Sequence, residues 1–272
     1  MNIYYPEEKS LEGITHLCVA AHQDDIEIMA FAPIAECYGA DGKAFAGVVV
    51  TDGAGSPRTG EYADFTDEQM KEVRVTEQQK AADIGKYRAA IQLGFPSKAV
   101  KNPENDEPVE AICRLIKEIK PKYLYTHNIA DKHETHVAVA LRTIEAVKRL
   151  PTELRPEKFI ALEVWRSLDW LPDEDKVCLD TAAYPEVARE LLTVHRSQVV
   201  GGKRYDNAAI GRRFANATFF ASHDTDDFTS MNFGLDLMPL VEGNETPKEF
   251  IEKYIDKFRG EVDSVLERLC RQ

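Results

Sequence analysis

The chain has no stretch of about 20 consecutive apolar residues, the length a membrane-spanning helix needs, and no long run of lysine and arginine. Its 272 residues carry 34 basic against 47 acidic side chains, a formal net charge of −13. Neither nucleic acid nor an anionic membrane surface is therefore expected as a partner. The opening MNIYYPEEKS has no basic segment followed by an apolar one, so it does not read as a secretion signal. Cysteine is sparse, with five residues (Cys18, Cys37, Cys113, Cys178, Cys270), odd in number and without C-x-x-C spacing. That argues against a disulfide scaffold or a cysteine zinc knuckle, and the expected location is the reducing cytoplasm. No G-x-G-x-x-G follows the first apolar run, which removes the usual dinucleotide cradle. Internal repeats and low-complexity segments are also missing.

What is present is an alternation of short apolar runs with amphipathic stretches. Residues 15–21 (THLCVAA), 44–50 (AFAGVVV), 123–126 (YLYT) and 159–165 (FIALEVW) read as strands, and 88–94 (RAAIQLG) as a weaker one. Helical spacing fills 26–39, 67–86, 107–120 and 134–149 between them. Strands separated by helices of this length imply βαβ units. The expectation is an α/β fold, a single Rossmann-like domain over 1–272, with a mostly parallel β-sheet and helices on both faces. From about residue 180 the pattern is less regular: 182–199 reads as a helix, GGKRYDNAAIGRR (201–213) as a mobile loop near a ligand, and 246–269 as a helix with a Thr cap and Pro in its first turn.

The unusual feature is VAAHQDDIE (19–27), a buried-strand pattern that runs into a histidine and two adjacent aspartates. Neighbouring carboxylates repel each other and resist desolvation, so something must offset them. In open parallel sheets ligands bind beyond the carboxyl ends of strands. Three such ends are polar here: His22-Gln23-Asp24-Asp25, Thr51-Asp52-Gly53, and HNIADKHETH (127–136). His22 and Asp25 are three apart, as are His133 and His136. Two histidines and one carboxylate are a common zinc set with a fourth position for water. One aspartate would bind the ion while the other acts as a base, and the spacing does not say which. Bland readings stand beside this one: an aspartate as helix cap, Asp52-Gly53 as a turn, His16 as a satisfied structural histidine, His223 as a loop residue. Arg58, Arg74, Arg204, Arg212 and Arg213 add positive charge that would suit an anionic substrate group if several lined one pocket.

AHQDDIE resembles the A-H-P-D-D-E signature of the LmbE-like, or PIG-L, deacetylase family. TDG (51–53), RVTEQQKAADIG (74–85), DKHETH (131–136) and HRSQ (195–198) are similar to that family's later blocks, in the same order. The resemblance implies a zinc-dependent enzyme, with one Zn2+ per chain or another divalent ion, that removes acetyl groups from N-acetylglucosamine-type small molecules. It implies His22, Asp25 and His136 as metal ligands, Asp24 as general base, and His133 as the group that assists the tetrahedral intermediate and protonates the leaving amine. Arg74 would reach the polar head of the substrate, with Asp52 and His195 as further substrate-binding residues. Two departures stand out. Gln23 replaces a proline, and Thr135 replaces an aspartate, which leaves Asp131 or Glu134 to take over any orienting role. A metal amidase acting on a non-sugar amide, and a non-catalytic sugar- or nucleotide-binding protein, are the rival readings. A homo-oligomer is left open.

Overall fold

The computed structural model describes residues 1–7 and 9–270. Eight strands form one sheet: β1 (Asn2–Tyr4), β2 (His16–Ala20), β3 (Phe45–Thr51), β4 (Ala89–Phe95), β5 (Tyr123–His127), β6 (Lys158–Leu162), β7 (Val177–Asp180) and β8 (Met231–Asp236). Their spatial order is β1-β4-β3-β2-β5-β6-β8-β7. The five strands from β4 to β6 run parallel, whereas β1, β8 and β7 each pair antiparallel with the neighbour that precedes them inward. The sheet is thus mixed, where a mostly parallel one was expected. The strands that change the description were missed because β1 has three residues, β7 is only half-buried, and β8 (MNFGLD) carries Asn and Gly amid its apolar residues.

Eleven α-helices are found among the described residues. The first six are α1 (Asp25–Met29), α2 (Phe31–Cys37), α3 (Asp67–Gly85), α4 (Ser97–Lys101), α5 (Glu107–Ile119) and α6 (Glu134–Lys148). After β6 come α7 (Pro185–Thr193), α8 (Arg196–Val199), α9 (Tyr205–Phe219), α10 (Met238–Glu242) and α11 (Pro247–Leu269). Alternation along β2 sends Leu17 and Val19 into a core shared with α5, α6 and Phe250 of α11. Cys18 and Ala20 point into a second core with α1, α2 and Leu191 of α7. Helices therefore cover both faces. None is long and apolar enough to cross a membrane among the described residues.

Two expected elements differ. The helix read over 26–39 breaks at Ala30, because Pro33 has no N–H to give the carbonyl one turn back and its ring crowds that carbonyl. Most of the loop read over 201–213 is helix α9, whose Arg213 is buried and donates to the carbonyls of Glu27 and Ile28 at 2.8 and 3.1 Å. The Thr cap of 246–269 is present as a reciprocal box between Thr246 and Glu249.

Because β3, β2 and β5 are parallel neighbours, their carboxyl ends share one edge. Thr51 donates its N–H and its hydroxyl to the Ala21 carbonyl (3.0 and 2.8 Å), and Ala21 N–H donates to His127 Nε2 at 2.8 Å. These bonds tie three sequence-distant segments together before any ligand is considered.

The last residue of α3, Gly85, lies flat against Tyr87: a Cβ there would sit 2.3 Å from the ring's Cε1. The ring has little freedom to retreat, since its hydroxyl donates to buried Glu27 at 2.7 Å. Gly85→Ala is expected to cost about 1–3 kcal/mol by overpacking, read as a lower urea midpoint with an unchanged slope.

Candidate active site

The turn between β2 and α1 builds the centre. His22 N–H donates to Asp25 Oδ2 at 2.8 Å, folding the carboxylate back under the strand end. Between them Asp24 is held at φ 102°, a conformation that side chains other than glycine rarely adopt. His136 arrives from the first turn of α6. Its Nε2 lies 3.3 Å from Asp25 Oδ2 and 3.2 Å from His22 Nδ1, and His22 Nδ1 is 3.1 Å from the same Oδ2. Donors bonded to one tetrahedral zinc-sized ion at about 2.0–2.1 Å stand about 3.4 Å apart. The three atoms therefore form a triangle close in size to one face of such a site, and the residues fit a divalent ion.

Two further imidazoles crowd this triangle. His133 stacks on His136 at 4.4 Å between ring centroids, and one nitrogen from each of His22, His133 and His136 falls within a mutual 4.8 Å. His127 Nε2 is 3.5 Å from Asp25 Oδ2, but that nitrogen already accepts from Ala21 N–H, which occupies its lone pair.

Asp131 answers the question raised by Thr135. Its Oδ2 lies 3.3 Å from His136 Nδ1, and its carboxylate also accepts the backbone N–H of His133 and of Trp165, both at 3.2 Å. It aims His136, the ring nearest the triangle, and holds His133 through the main chain only. Glu134 points to solvent, 3.6 Å from Lys101.

The electrostatics separate the two aspartates. Burial pushes the Asp24 carboxyl up to about 6; Arg74 pulls the other way, and the Asp25 charge adds to the rise. Burial would also raise Asp25, but His136 and His127 outweigh it and hold that carboxyl well below its usual range. For His136 burial favours the neutral ring, yet Asp25 and Asp131 overcome it and raise the group to about 9. His133 is lowered to about 4 by burial and by repulsion from His136 and His22. One aspartate is thus firmly anionic among histidines, and its neighbour is poised to exchange a proton near neutrality.

A cavity of about 310 Å³ opens over these groups. His22, Asp24, Asp25 and His133 form its floor; Gly53, Gly55, Ser56, Pro57, Gln198, Lys203, Tyr205 and Trp165 contribute its walls. Trp165 and Tyr205 meet edge to face at 6.0 Å, and Lys203 Nζ sits 5.0 Å over the Trp165 ring. Lys203 and Tyr205 lie in the 201–213 segment expected near a ligand; Trp165 was not anticipated, because an isolated aromatic has no spacing to mark it. Larger hollows of about 430 and 670 Å³ elsewhere contain none of the clustered histidines and aspartates.

The three residues expected to bind substrate are placed differently. Arg74 borders the cavity, but its guanidinium donates to the Gln23 carbonyl, to Glu77 (3.1 Å) and to Ser197 (3.2 Å), and lies 3.4 Å from Asp24. It is 1% exposed and holds the aspartate turn. Asp52 is absent from the cavity lining: it accepts from Ala54 N–H at 3.1 Å and pairs with Lys71 at 3.4 Å, the turn role. His195 is absent as well, buried with Nε2 2.9 Å from Glu27, while Gln198 of the same block reaches the cavity. Arg58, Arg204, Arg212 and Arg213 also bond within the protein rather than lining the cavity. A polar block on one sequence can face either way, and only packing selects the direction.

Residues 17–147 match the family model PIG-L: GlcNAc-PI de-N-acetylase. Over that segment the chain is similar to the PIG-L, or LmbE-like, family. Among solved structures it resembles N,N'-diacetylchitobiose deacetylase from Pyrococcus horikoshii (16% identity, TM-score 0.65, covering 88% of each chain). It also resembles the conserved protein TT1542 from Thermus thermophilus (20% identity, TM-score 0.64, 86% of this chain and 98% of that one). A third is GalB, the 4-carboxy-2-hydroxymuconate hydratase from Pseudomonas putida (17% identity, TM-score 0.63, 86% and 100%). At such identities the likeness establishes the fold, and this fold carries both a deacetylase and a hydratase.

In the metal-free chain His136 holds a proton at neutral pH, which an incoming ion must displace. Binding of a divalent ion at pH 7 should release about one proton, measurable by calorimetry in buffers of different ionisation enthalpy. Affinity should accordingly fall as pH is lowered, since protons compete for the same nitrogen. Asp131→Asn should weaken ion binding about 10–100-fold; unchanged affinity would show that Asp131 does not orient the ligand.

Proposed function

We propose that the chain is a metal-dependent hydrolase that removes the acetyl group from an N-acetylated small molecule, in particular an N-acetylglucosamine derivative. The observation that carries this reading is the donor triangle of His22, Asp25 and His136 with the strained, buried Asp24 beside it on the floor of one cavity. The match of residues 17–147 to a family model described as a de-N-acetylase supports the amide as the bond attacked. Two imidazoles and a carboxylate suit zinc, and also other divalent ions, at one ion per chain. Such an ion supplies Lewis acidity, bringing the pKa of water toward ~7 and polarising a carbonyl oxygen.

The protein's own groups divide the remaining work. Asp24, ionised above a pH of about 6, accepts the proton of the attacking water. Its contact with Arg74 favours the charged form, and the turn fixes where the carboxylate points. His133, neutral at pH 7, donates an N–H to the amide oxygen as negative charge develops there; the proton that Asp24 took from the water then passes to the departing nitrogen, directly or relayed through that ring. Trp165 and Tyr205 offer apolar faces against which a sugar ring can lie, and Gln198 and Lys203 offer donors to its hydroxyls. These last residues come from beyond position 160, which supports treating 1–272 as one domain. Five free cysteines are in keeping with a cytoplasmic setting.

The test is amine release from a panel of N-acetylated glucosamine derivatives, with metal content measured in parallel. Asp24→Asn should keep its metal and lose about 10²–10⁴ of kcat, whereas His136→Ala should lose the metal itself. An Asp24→Asn protein that turns over normally would remove the base assignment. Activity confined to non-sugar amides would replace the substrate class, and hydration without amine release would replace the reaction.

A further inference from the structure

Helix α11 leaves the body of the protein unaccompanied. Its first turns are anchored by buried Phe250 and by Ile251 and Tyr254, which pack on the core. From residue 255 to 269 every position is exposed. An isolated helix of this length is marginal in water, and Gly260 weakens it further. Yet it carries an apolar stripe: Ile255, Phe258, Val262, Val265 and Leu269, between 37% and 71% exposed. The steps along the stripe are three, four, three and four residues, the a and d positions of a heptad seam.

The charges beside the seam specify what covers it. In this register Glu261 and Arg268 take g positions, while Arg259 and Leu266 take e positions. Arg259 is paired with Asp256 at 2.9 Å, but neither Glu261 nor Arg268 has an ion-pair partner among the described residues. Two copies laid parallel would set Glu261 against Leu266 and Tyr254 against Arg259, with no opposite charges matched. Laid antiparallel, Val262 of one copy faces Val265 of the other and Phe258 faces Leu269. Glu261 of each then faces Arg268 of the other, twice by symmetry, and the stem of Arg259 covers Leu266. The antiparallel arrangement also sets the two bodies at opposite ends of the helix pair, where they do not compete for space.

We infer that the distal half of α11 is a dimerisation element that pairs antiparallel with α11 of a second copy of this chain. The pairing buries the stripe and joins two bodies whose cavities stay open, since no residue of α11 borders the proposed site.

Analytical ultracentrifugation of the full-length, metal-loaded protein tests this across micromolar concentrations. Val262→Asp with Val265→Asp should halve the mass of the assembly, whatever its total size, while metal content stays unchanged and any loss of helical circular dichroism is confined to the distal half of α11. Glu261→Arg alone should weaken pairing about tenfold by replacing two attractions with two repulsions, and adding Arg268→Glu should restore it. A wild type that is monomeric throughout overturns the proposal, as does an assembly that the aspartate pair leaves intact. Weakening by Glu261→Arg without rescue by the second change rejects the antiparallel register.

Discussion

A single carboxylate oxygen organises this protein. Asp25 Oδ2 has three imidazole nitrogens and the His22 amide within 3.5 Å, and those groups come from the ends of β2 and β5 and the start of α6. Without a cation the cluster depends on a proton on His136, held by Asp25 and Asp131. With a cation the same geometry becomes a ligand set. Either way the positive charge is a requirement, since a buried carboxylate beside a second one is otherwise costly. The adjacency of Asp24 and Asp25 is therefore a consequence of what lies between them and the histidines.

Around that centre the buried polar groups serve to hold the site still. Arg74 spans Gln23, Asp24 and Glu77, and Glu77 in turn accepts Ser197 N–H and its hydroxyl at 2.6 and 2.7 Å. Glu27, fully buried in α1, receives Gln78 and Tyr87 and faces His195 across 2.9 Å. Burial would raise the Glu27 carboxyl, but His195 and these donors hold it below its usual value, so it stays charged. Two buried glutamates thus clamp α3, α1 and the His195–Gln198 block into one frame. Such outer partners fix the angles of inner groups, and strain at Asp24 persists only because this frame over-determines it.

The exposed end of α11 follows a different rule. The carboxylates that frame the site are buried and bonded, whereas this helix has apolar residues in water and charges beside them without ion-pair partners among the described residues. Its heptad spacing differs from the wider apolar faces of α5 and α6, which pack on the sheet. The contrast separates a surface shaped for this chain's own core from one shaped for another helix.

Much was legible from residue order. Strands β2 and β3 announced themselves by unbroken apolar runs, α3 by its helical spacing, α11 by its threonine cap, and the metal-fitting cluster by histidines and an aspartate at i, i+3 spacing at strand ends. These are local patterns, set by periodicity and by which atoms can reach a common point. Tertiary structure decided the rest. It made the sheet mixed, because β1, β7 and β8 are too short or too polar to be recognised before they pair. It set Asp52 and His195 outside the cavity lining, held Arg74 at the cavity border against the aspartate turn, and brought Trp165, Tyr205 and Lys203 into the wall. Sequence determines which side chains can do chemistry; the direction each one faces is set by partners that lie dozens of residues away, and only the folded chain brings those partners into contact.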